Sequence, residues 1–271
     1  MPSQPQRLAT VRNTIAVASG KGGVGKSTVA ANLALALQKS GSQVGILDAD
    51  IYGPSIPTLF GLKEKQPAMD PEKRKIVPLE KFGLKIMSIG FLIRETDSVV
   101  WRGPMIHKML QQFIEDVDWG DLDTLIIDLP PGTGDAQLSL SQLIPMSGAV
   151  VVTTPQDMAL ADVIRGVAMF KKVGVPILGV IENMSYFSCP HCDKRTEIFS
   201  HGGGKRMAEE LKVPFLGELT LDPMTREGSD TGSPVVVQVP DSFQAKCFKE
   251  IAEKMKGELE RVQTNKINIQ L

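Results

Sequence analysis

A glycine-rich loop near the amino terminus carries the residue types that bind the phosphates of a nucleotide. Residues 20–27, GKGGVGKS, fit the pattern G-x-x-x-x-G-K-[ST]. Glycines let the backbone curl so that its N–H groups point at phosphate oxygens, and the next helix adds its positive N-terminal end. We predict that Lys26 reaches the β- and γ-phosphates and that the Ser27 hydroxyl ligates Mg²⁺. The predicted nucleotide-binding residues of the loop are Gly20, Lys21, Gly22, Gly23, Val24, Gly25, Lys26, Ser27 and Thr28.

The same loop also fits a dinucleotide-binding pattern. Gly20, Gly22 and Gly25 match G-x-G-x-x-G, and Asp48 ends the next strand, where an acid that binds a ribose would lie. A dinucleotide site, however, needs neither the ammonium of Lys26 nor the hydroxyl that follows it. The phosphate loop is therefore the favoured interpretation, and a purely structural glycine turn is the third.

Lys21 is a second lysine inside the loop, and the general motif does not require it. One interpretation is a solvated surface lysine. The other is a catalytic cation that the curl of the loop directs toward the nucleotide of a facing subunit. A cation added at a transferring phosphoryl group can raise the rate by about 10³–10⁵.

Two aspartate-rich turns follow apolar strands and are expected at the same edge of a sheet as the loop. The first is DADIYGPS, which begins at Asp48, and the second is DLPPGTGD, which begins at Asp128. We assign Asp128 and Asp48 to the Mg²⁺ shell, and we expect Asp50 to orient the attacking water. The alternative is that these aspartates only cap helices and form turns.

A short C-x-x-C segment, Cys189-Pro190-His191-Cys192, lies in a polar loop. Its spacing leaves four interpretations open: a thiol–disulfide pair, a structural zinc knuckle, a metal site shared between two chains, and an unliganded pair. The shared site ranks first, because two cysteines from each of two subunits supply four thiolates. Such a set suits zinc or an iron–sulfur cluster equally well. The third cysteine, Cys247, is predicted to be a small buried hydrophobe.

These residues need a scaffold, and the hydrophobic pattern predicts one. Apolar runs that read as buried strands alternate with helical patterns, which indicates a parallel sheet covered on both faces. The fold class is therefore a doubly wound α/β domain of the P-loop NTPase type. The predicted strands are 14–18, 44–48, 125–128, 149–154, 177–181 and one that begins near Phe215; the predicted helices are 27–39, 157–173 and 241–262. Residues 64–102 look like an insertion with a small hairpin.

The composition excludes several function classes. Thirty basic residues against 31 acidic ones give a net charge of −1, so nucleic acid and an anionic membrane are not expected as partners. No apolar stretch is long enough to span a bilayer. We expect a flexible tail over residues 1–12, one ATPase domain over 13–262 with the cysteine loop near 186–201, and a second tail over 263–271.

The motifs together resemble a known family. GKGGVGKST with the extra Lys21 is similar to the deviant Walker A loop of the nitrogenase iron protein and the septum-positioning ATPase. DADIYGPSIP, WRGPM (Trp101–Met105), DLPPGTGD, TTPQD, IENMS and the CPHC loop narrow the resemblance to the Mrp/ApbC-type iron–sulfur cluster carriers. The resemblance covers the chain from about Val11 to Val262.

The resemblance implies a homodimer with one ATP site per subunit and slow ATP hydrolysis. It implies that Cys189 and Cys192 of two subunits hold a 4Fe–4S cluster, which is delivered to apo-proteins after assembly on a scaffold. It also implies that Lys21 reaches across the dimer and that Asn183 of IENMS contacts adenine. The alternative function is a nucleotide-dependent dimerisation switch with zinc at the cysteine pair.

The chain departs from the family in two places. Only about a dozen residues precede the ATPase region, whereas many bacterial members carry a small domain there, and the four-cysteine motif of the eukaryotic cytosolic members is absent. These departures favour a cytoplasmic location in a bacterium or archaeon, with a processed mitochondrial form as the alternative.

Overall fold

Strands and helices alternate along the chain, as the sequence predicts. A computed structural model of the chain describes residues 8, 10–92 and 103–270. The strands are β1 (Val11–Ala18), β2 (Val44–Asp48), β3 (Ala68–Asp70), β4 (Lys75–Val77), β5 (Leu79–Lys81), β6 (Leu84–Ser88), β7 (Leu122–Asp128), β8 (Gly148–Thr153), β9 (Ile177–Glu182), β10 (Phe187–Ser188), β11 (Arg195–Thr196) and β12 (Phe215–Glu218). The helices are α1 (Lys26–Lys39), α2 (Ile56–Leu59), α3 (Gly103–Glu115), α4 (Asp135–Leu143), α5 (Asp157–Lys172), α6 (Gly203–Leu211), α7 (Pro223–Thr231), α8 (Val235–Gln238) and α9 (Phe243–Gln270).

Eight strands form one mostly parallel sheet in the order β12-β9-β8-β1-β7-β2-β6-β5. Every neighbouring pair is parallel except β5 with β6, which is antiparallel. Parallel strands therefore lie on both sides of β1, as in a doubly wound sheet. In such sheets ligands bind beyond the carboxyl ends of the central strands.

Helices cover both faces of this sheet. On one face α1 packs against α9, and α9 also contacts β9 and β12. On the other face α5 packs against α6, and α6 contacts the same two strands. The strands between them are mostly apolar, and every residue of β2 and β8 is buried. The predicted fold class is confirmed.

One strand was misassigned by the sequence analysis. The small hairpin expected within 64–102 is present as β3–β4, but β6 is not part of an insertion, because it pairs in parallel with β2 in the main sheet. The run LKIMS is short and contains Lys85, whose ammonium reaches the carbonyl of Trp119. A buried strand whose second residue is lysine has the sequence pattern of an exposed hairpin strand. Trp101 and Arg102 of the WRGPM motif lie outside the described residues.

The closing helix is longer than predicted. It begins at Phe243 rather than Asp241 and continues to Gln270, through the residues expected to form a C-terminal tail. The physical reason is that no proline or glycine follows Gly257, so nothing in the sequence ends the helix. At the other terminus β1 begins at Val11, inside the predicted tail, most of which lies outside the described residues. Within the described part of the chain, no helix has both the length and the apolar character needed to cross a bilayer.

Candidate functional site

The parallel register brings the predicted carboxylates together. In the pairing of β2 with β7, Asp48 lies opposite Asp128, and Val17 of β1 lies opposite Asp128 on the other side. All three strands end at one edge of the sheet, where the phosphate loop joins β1 to α1. The sheet thus places the loop and both aspartate turns at one edge, as predicted.

Lys26 is the centre of this site. Its ammonium lies 2.5 Å from Asp128 Oδ1 and 3.3 Å from Asp50 Oδ2, and only 6% of the side chain is exposed. Its Nζ is also 3.3 Å from the hydroxyl of Ser27. A buried ammonium needs such partners, because transfer from water without them is very costly. The lysine expected to bind phosphates is therefore held between the two turns.

Asp128 and Ser27 fit a magnesium site. Asp128 is completely buried, and its Oδ2 has no hydrogen-bond partner among the described residues. Burial raises the pKa of this carboxyl, while Lys26 and the Ser27 hydroxyl oppose the rise. An unpartnered carboxylate oxygen beside a hydroxyl is a donor set that Mg²⁺ prefers. These two residues would hold the ion.

Asp48 fits the magnesium shell less well, because its oxygens contact the turn after β2 and Ser88 rather than Lys26 or Ser27. Oδ1 accepts from the Asp50 N–H at 3.1 Å, and Oδ2 accepts from the Ile56 N–H at 3.1 Å and the Ser88 hydroxyl at 2.9 Å. Burial, and then repulsion from Asp128, raise its pKa to about 8. The geometry is that of a residue that shapes the turn from 49 to 56 and thereby positions Asp50.

The phosphate loop has the backbone that its glycines predict. Gly23 and Gly25 have φ of +80° and +78°, in the left-handed region that favours glycine. A Cβ on Gly25 would lie 2.3 Å from Asn183 Nδ2. The Asn183 amide donates a hydrogen bond to the Val24 carbonyl at 2.8 Å and thereby supports the loop. The adenine contact implied for Asn183 by the resemblance stays a prediction.

Lys21 has a partner that the sequence did not single out. Its Nζ lies 3.4 Å from Oε1 of Gln156, which follows β8. The same oxygen is 3.5 Å from the Thr154 hydroxyl. Lys21 is partly exposed and lies apart from the carboxylates that hold Lys26. Its role across a dimer stays a prediction.

The cysteine segment forms the tip of a small hairpin. Strands β10 and β11 pair antiparallel, with Ser188 opposite Arg195, and the Cys189 N–H donates to the Lys194 carbonyl at 3.1 Å. Hydrogen bonds from the His191 N–H and from Cys192 lower the pKa of the Cys189 thiol. Cys192 is exposed. N–H groups directed at a sulfur favour its thiolate, which is the form that binds metals.

Other functional candidates were not predicted from the sequence. Glu182, at the end of β9, is completely buried and lies beside Glu218 and His201. Glu182 belongs to the IENMS motif, and polar residues at the end of an apolar strand were a usable signal. Cys247 packs against the core but is only half-buried, which is less than predicted, and burial raises the pKa of its thiol.

The parallel sheet, the phosphate loop and the buried lysine define the class of protein as a P-loop NTPase. A sequence model of the ParA group, described as the NUBPL iron-transfer P-loop NTPase, matches residues 10–256. The chain therefore belongs to this family of iron-transfer NTPases.

Curated relatives are similar over most of the chain. The iron–sulfur cluster transfer protein NUBPL of Dictyostelium discoideum is 50% identical over 95% of this chain and 81% of its own length. The iron–sulfur cluster carrier protein of Aquifex aeolicus is 53% identical over 92% of this chain and 68% of its own length. A third relative is a mitochondrial iron–sulfur protein of Arabidopsis thaliana that is required for NADH dehydrogenase. It is 49% identical over 97% of this chain and 83% of its own length.

Solved structures agree with the fold. A nucleotide-binding protein from Archaeoglobus fulgidus, in complex with ADP, is 41% identical with a TM-score of 0.75, over 88% of this chain and 96% of that one. The cell division ATPase MinD of Pyrococcus furiosus is 24% identical with a TM-score of 0.68, over 91% and 99% of the two chains. The second likeness concerns the fold alone.

The raised pKa of Asp48 predicts a pH-dependent stability of the nucleotide-free protein. Between the ordinary value of 3.8 and about 8, the native carboxyl binds more protons than the unfolded one. The free energy of unfolding should therefore fall as the pH rises through this window, by at most about 1.4 kcal/mol per pH unit from this group. Urea unfolding at pH 5, 6, 7 and 8 measures the slope.

The variant Asp48→Asn should flatten that slope, and the exposed Asp241→Asn should not. The slope is the readout rather than the stability itself, because an amide cannot accept hydrogen bonds at both of its positions. An equal slope in wild type and Asp48→Asn would contradict the assignment.

Proposed function

We propose that the chain is an ATP-hydrolysing carrier that holds a 4Fe–4S cluster between two copies of itself and passes it to apo-proteins. The observation that carries this proposal is that one domain contains both a phosphate loop and a hairpin with Cys189 and Cys192 at its tip. The family and the names of its relatives, iron–sulfur cluster carrier and transfer proteins, support it. A cluster-assembly scaffold and client apo-proteins are the proposed partners.

The cysteine pair is half of a cluster site. Among the described residues, no third histidine, cysteine or carboxylate groups with Cys189 and Cys192 at metal-binding distance. A 4Fe–4S cluster is held by four thiolates. Two copies of the hairpin supply four, so the proposal includes a homodimer with the cluster at its interface.

ATP hydrolysis would take place at the phosphate loop. Bound Mg²⁺ would neutralise the charge of the β- and γ-phosphates, held by Ser27 and Asp128. Lys26 lies within reach of both turns and would exchange its carboxylate partners for phosphate oxygens. Asp50, at 3.3 Å from Lys26, would then be freed to orient the attacking water. Lys21 would add the cation of the facing subunit.

Replacing the hairpin cysteines should abolish cluster binding without affecting the fold. After anaerobic reconstitution with iron and sulfide, we expect the wild type to bind four iron and four sulfide per two chains and to show thiolate-to-iron absorption. Cys189→Ser and Cys192→Ser should lose both signals and still bind ATP. Iron and sulfide analysis, visible absorption and mass measurement of the dimer test this.

Cys247→Ser is the matched control, because Cys247 is half-buried on α9 and should leave the cluster intact. A cluster that survives in Cys189→Ser would contradict the assignment. Zinc at one per dimer without sulfide would instead favour the dimerisation switch with a structural zinc.

Lys21→Ala should separate nucleotide binding from turnover. Because Lys21 contacts Gln156 rather than the buried carboxylates, its removal should leave ATP affinity unchanged. Loss of a cation from the transferring phosphoryl group should lower the rate of hydrolysis by about 10³-fold or more. Phosphate release and equilibrium ATP binding measure the two effects.

Lys39→Ala, at the exposed end of α1, is the control and should change neither quantity. Normal hydrolysis by Lys21→Ala would rule out the role across the dimer.

A further inference from the structure

Three metal-ligating side chains converge beside the cysteine hairpin, outside the site described above. One ligand atom each of Glu182, His201 and Glu218 lies within 4.8 Å of the others. Glu182 is completely buried, whereas His201 and Glu218 are partly exposed and give access from solvent. The group contains one imidazole and two carboxylates and no sulfur.

The backbone holds Glu182 in place and sets Glu218 beside it. Glu182 ends β9 and Glu218 ends β12, and the two residues are partners in the parallel pairing. The N–H groups of Gly202 and Gly204, where α6 begins, donate to the two oxygens of Glu182 at 2.9 and 2.6 Å. A site carried by strand ends and a helix start holds its geometry better than one on a free loop.

Negative charge is concentrated here. The Ser185 hydroxyl lies 2.6 Å from Glu182 Oε1 and 3.2 Å from Glu218 Oε2, and its single hydrogen serves only one of them at a time. In the described part of the chain no lysine or arginine pairs with Glu182. Arg195 lies 3.9 Å from Glu218, and His201 Nε2 lies 2.7 Å from Glu218 Oε2.

We propose that Glu182, His201 and Glu218 form a binding site for one divalent transition-metal ion per chain. An imidazole with two carboxylates favours Fe²⁺, Co²⁺, Mn²⁺ or Zn²⁺ over Mg²⁺ or Ca²⁺, which take oxygen ligands alone. The ion replaces the direct contact between His201 Nε2 and Glu218 Oε2, which lie 2.7 Å apart, and both atoms bind it. Small rotations of these two partly exposed side chains then close the three donors around it.

The site is linked to the base of the hairpin. Arg195 of β11 stacks over the Tyr186 ring at 3.7 Å, and that ring meets the His201 ring edge-on. A metal bound by His201 and Glu218 would therefore restrict the motion of the segment from 186 to 201, which carries the cysteine pair. The inference does not depend on the cluster, because all three ligands are separate from the thiols.

The test uses the full chain with Cys189→Ser and Cys192→Ser, so that thiolates do not compete. Co²⁺ is the probe, followed by isothermal titration and visible absorption. We expect one Co²⁺ per chain, with a spectrum of oxygen and nitrogen ligation. In this background His201→Ala and Glu218→Gln should each weaken Co²⁺ binding by about tenfold or more.

His107→Ala, an exposed histidine on α3, is the matched control and should bind Co²⁺ normally. ATP binding by each variant shows that the domain is folded. The proposal is overturned if the cysteine variant binds no Co²⁺, or if His201→Ala and Glu218→Gln bind it as tightly as their parent.

Discussion

A buried ammonium surrounded by carboxylates is the interaction on which this structure depends. Lys26 is almost inaccessible to solvent and lies against Asp128 and Asp50. Burying one charge costs several kcal/mol, and the cost is offset only when partners of opposite sign are placed accurately. Both turns must therefore hold their carboxylates at the sheet edge, and the strands that precede them must keep their register.

Hydrogen bonds in the neighbouring turns help to hold these carboxylates in place. Asp48 ties the turn after β2 to Ser88 and to the Ile56 N–H, and the Gly132 N–H donates to the Ser19 carbonyl at 2.9 Å. The strand end at 182–183 makes contacts in two different places. Asn183 donates a hydrogen bond to the Val24 carbonyl of the phosphate loop, while its neighbour Glu182 lies beside His201 and Glu218. Two adjacent residues thus belong to different sites, one beside the phosphate loop and one in the proposed metal site.

Local patterns were sufficient for the central sheet and the phosphate loop. Strands buried on both faces give continuous apolar runs, and the loop needs a fixed order of residue types. Local patterns were insufficient for β6, because Lys85 makes this buried strand look exposed. They were also insufficient for the end of α9, because no glycine or proline follows Gly257 to end the helix. Contacts between residues far apart in the sequence could not be predicted from local patterns. The hydrogen bond from Ser88 to Asp48 joins residues forty positions apart, and no pattern near Asp48 predicts it.

The stability of nucleotide-free Lys26→Met, measured by urea unfolding at pH 5 and pH 8, tests the central claim most directly. Removing the ammonium leaves buried carboxylates without a counter-charge, which costs about 3–5 kcal/mol in comparable cases. The loss should be larger at pH 8 than at pH 5, because at low pH the carboxyls with raised pKa can take up protons instead. Lys39→Met should match the wild type at both values. Equal stability of Lys26→Met and wild type at pH 8 would contradict the account.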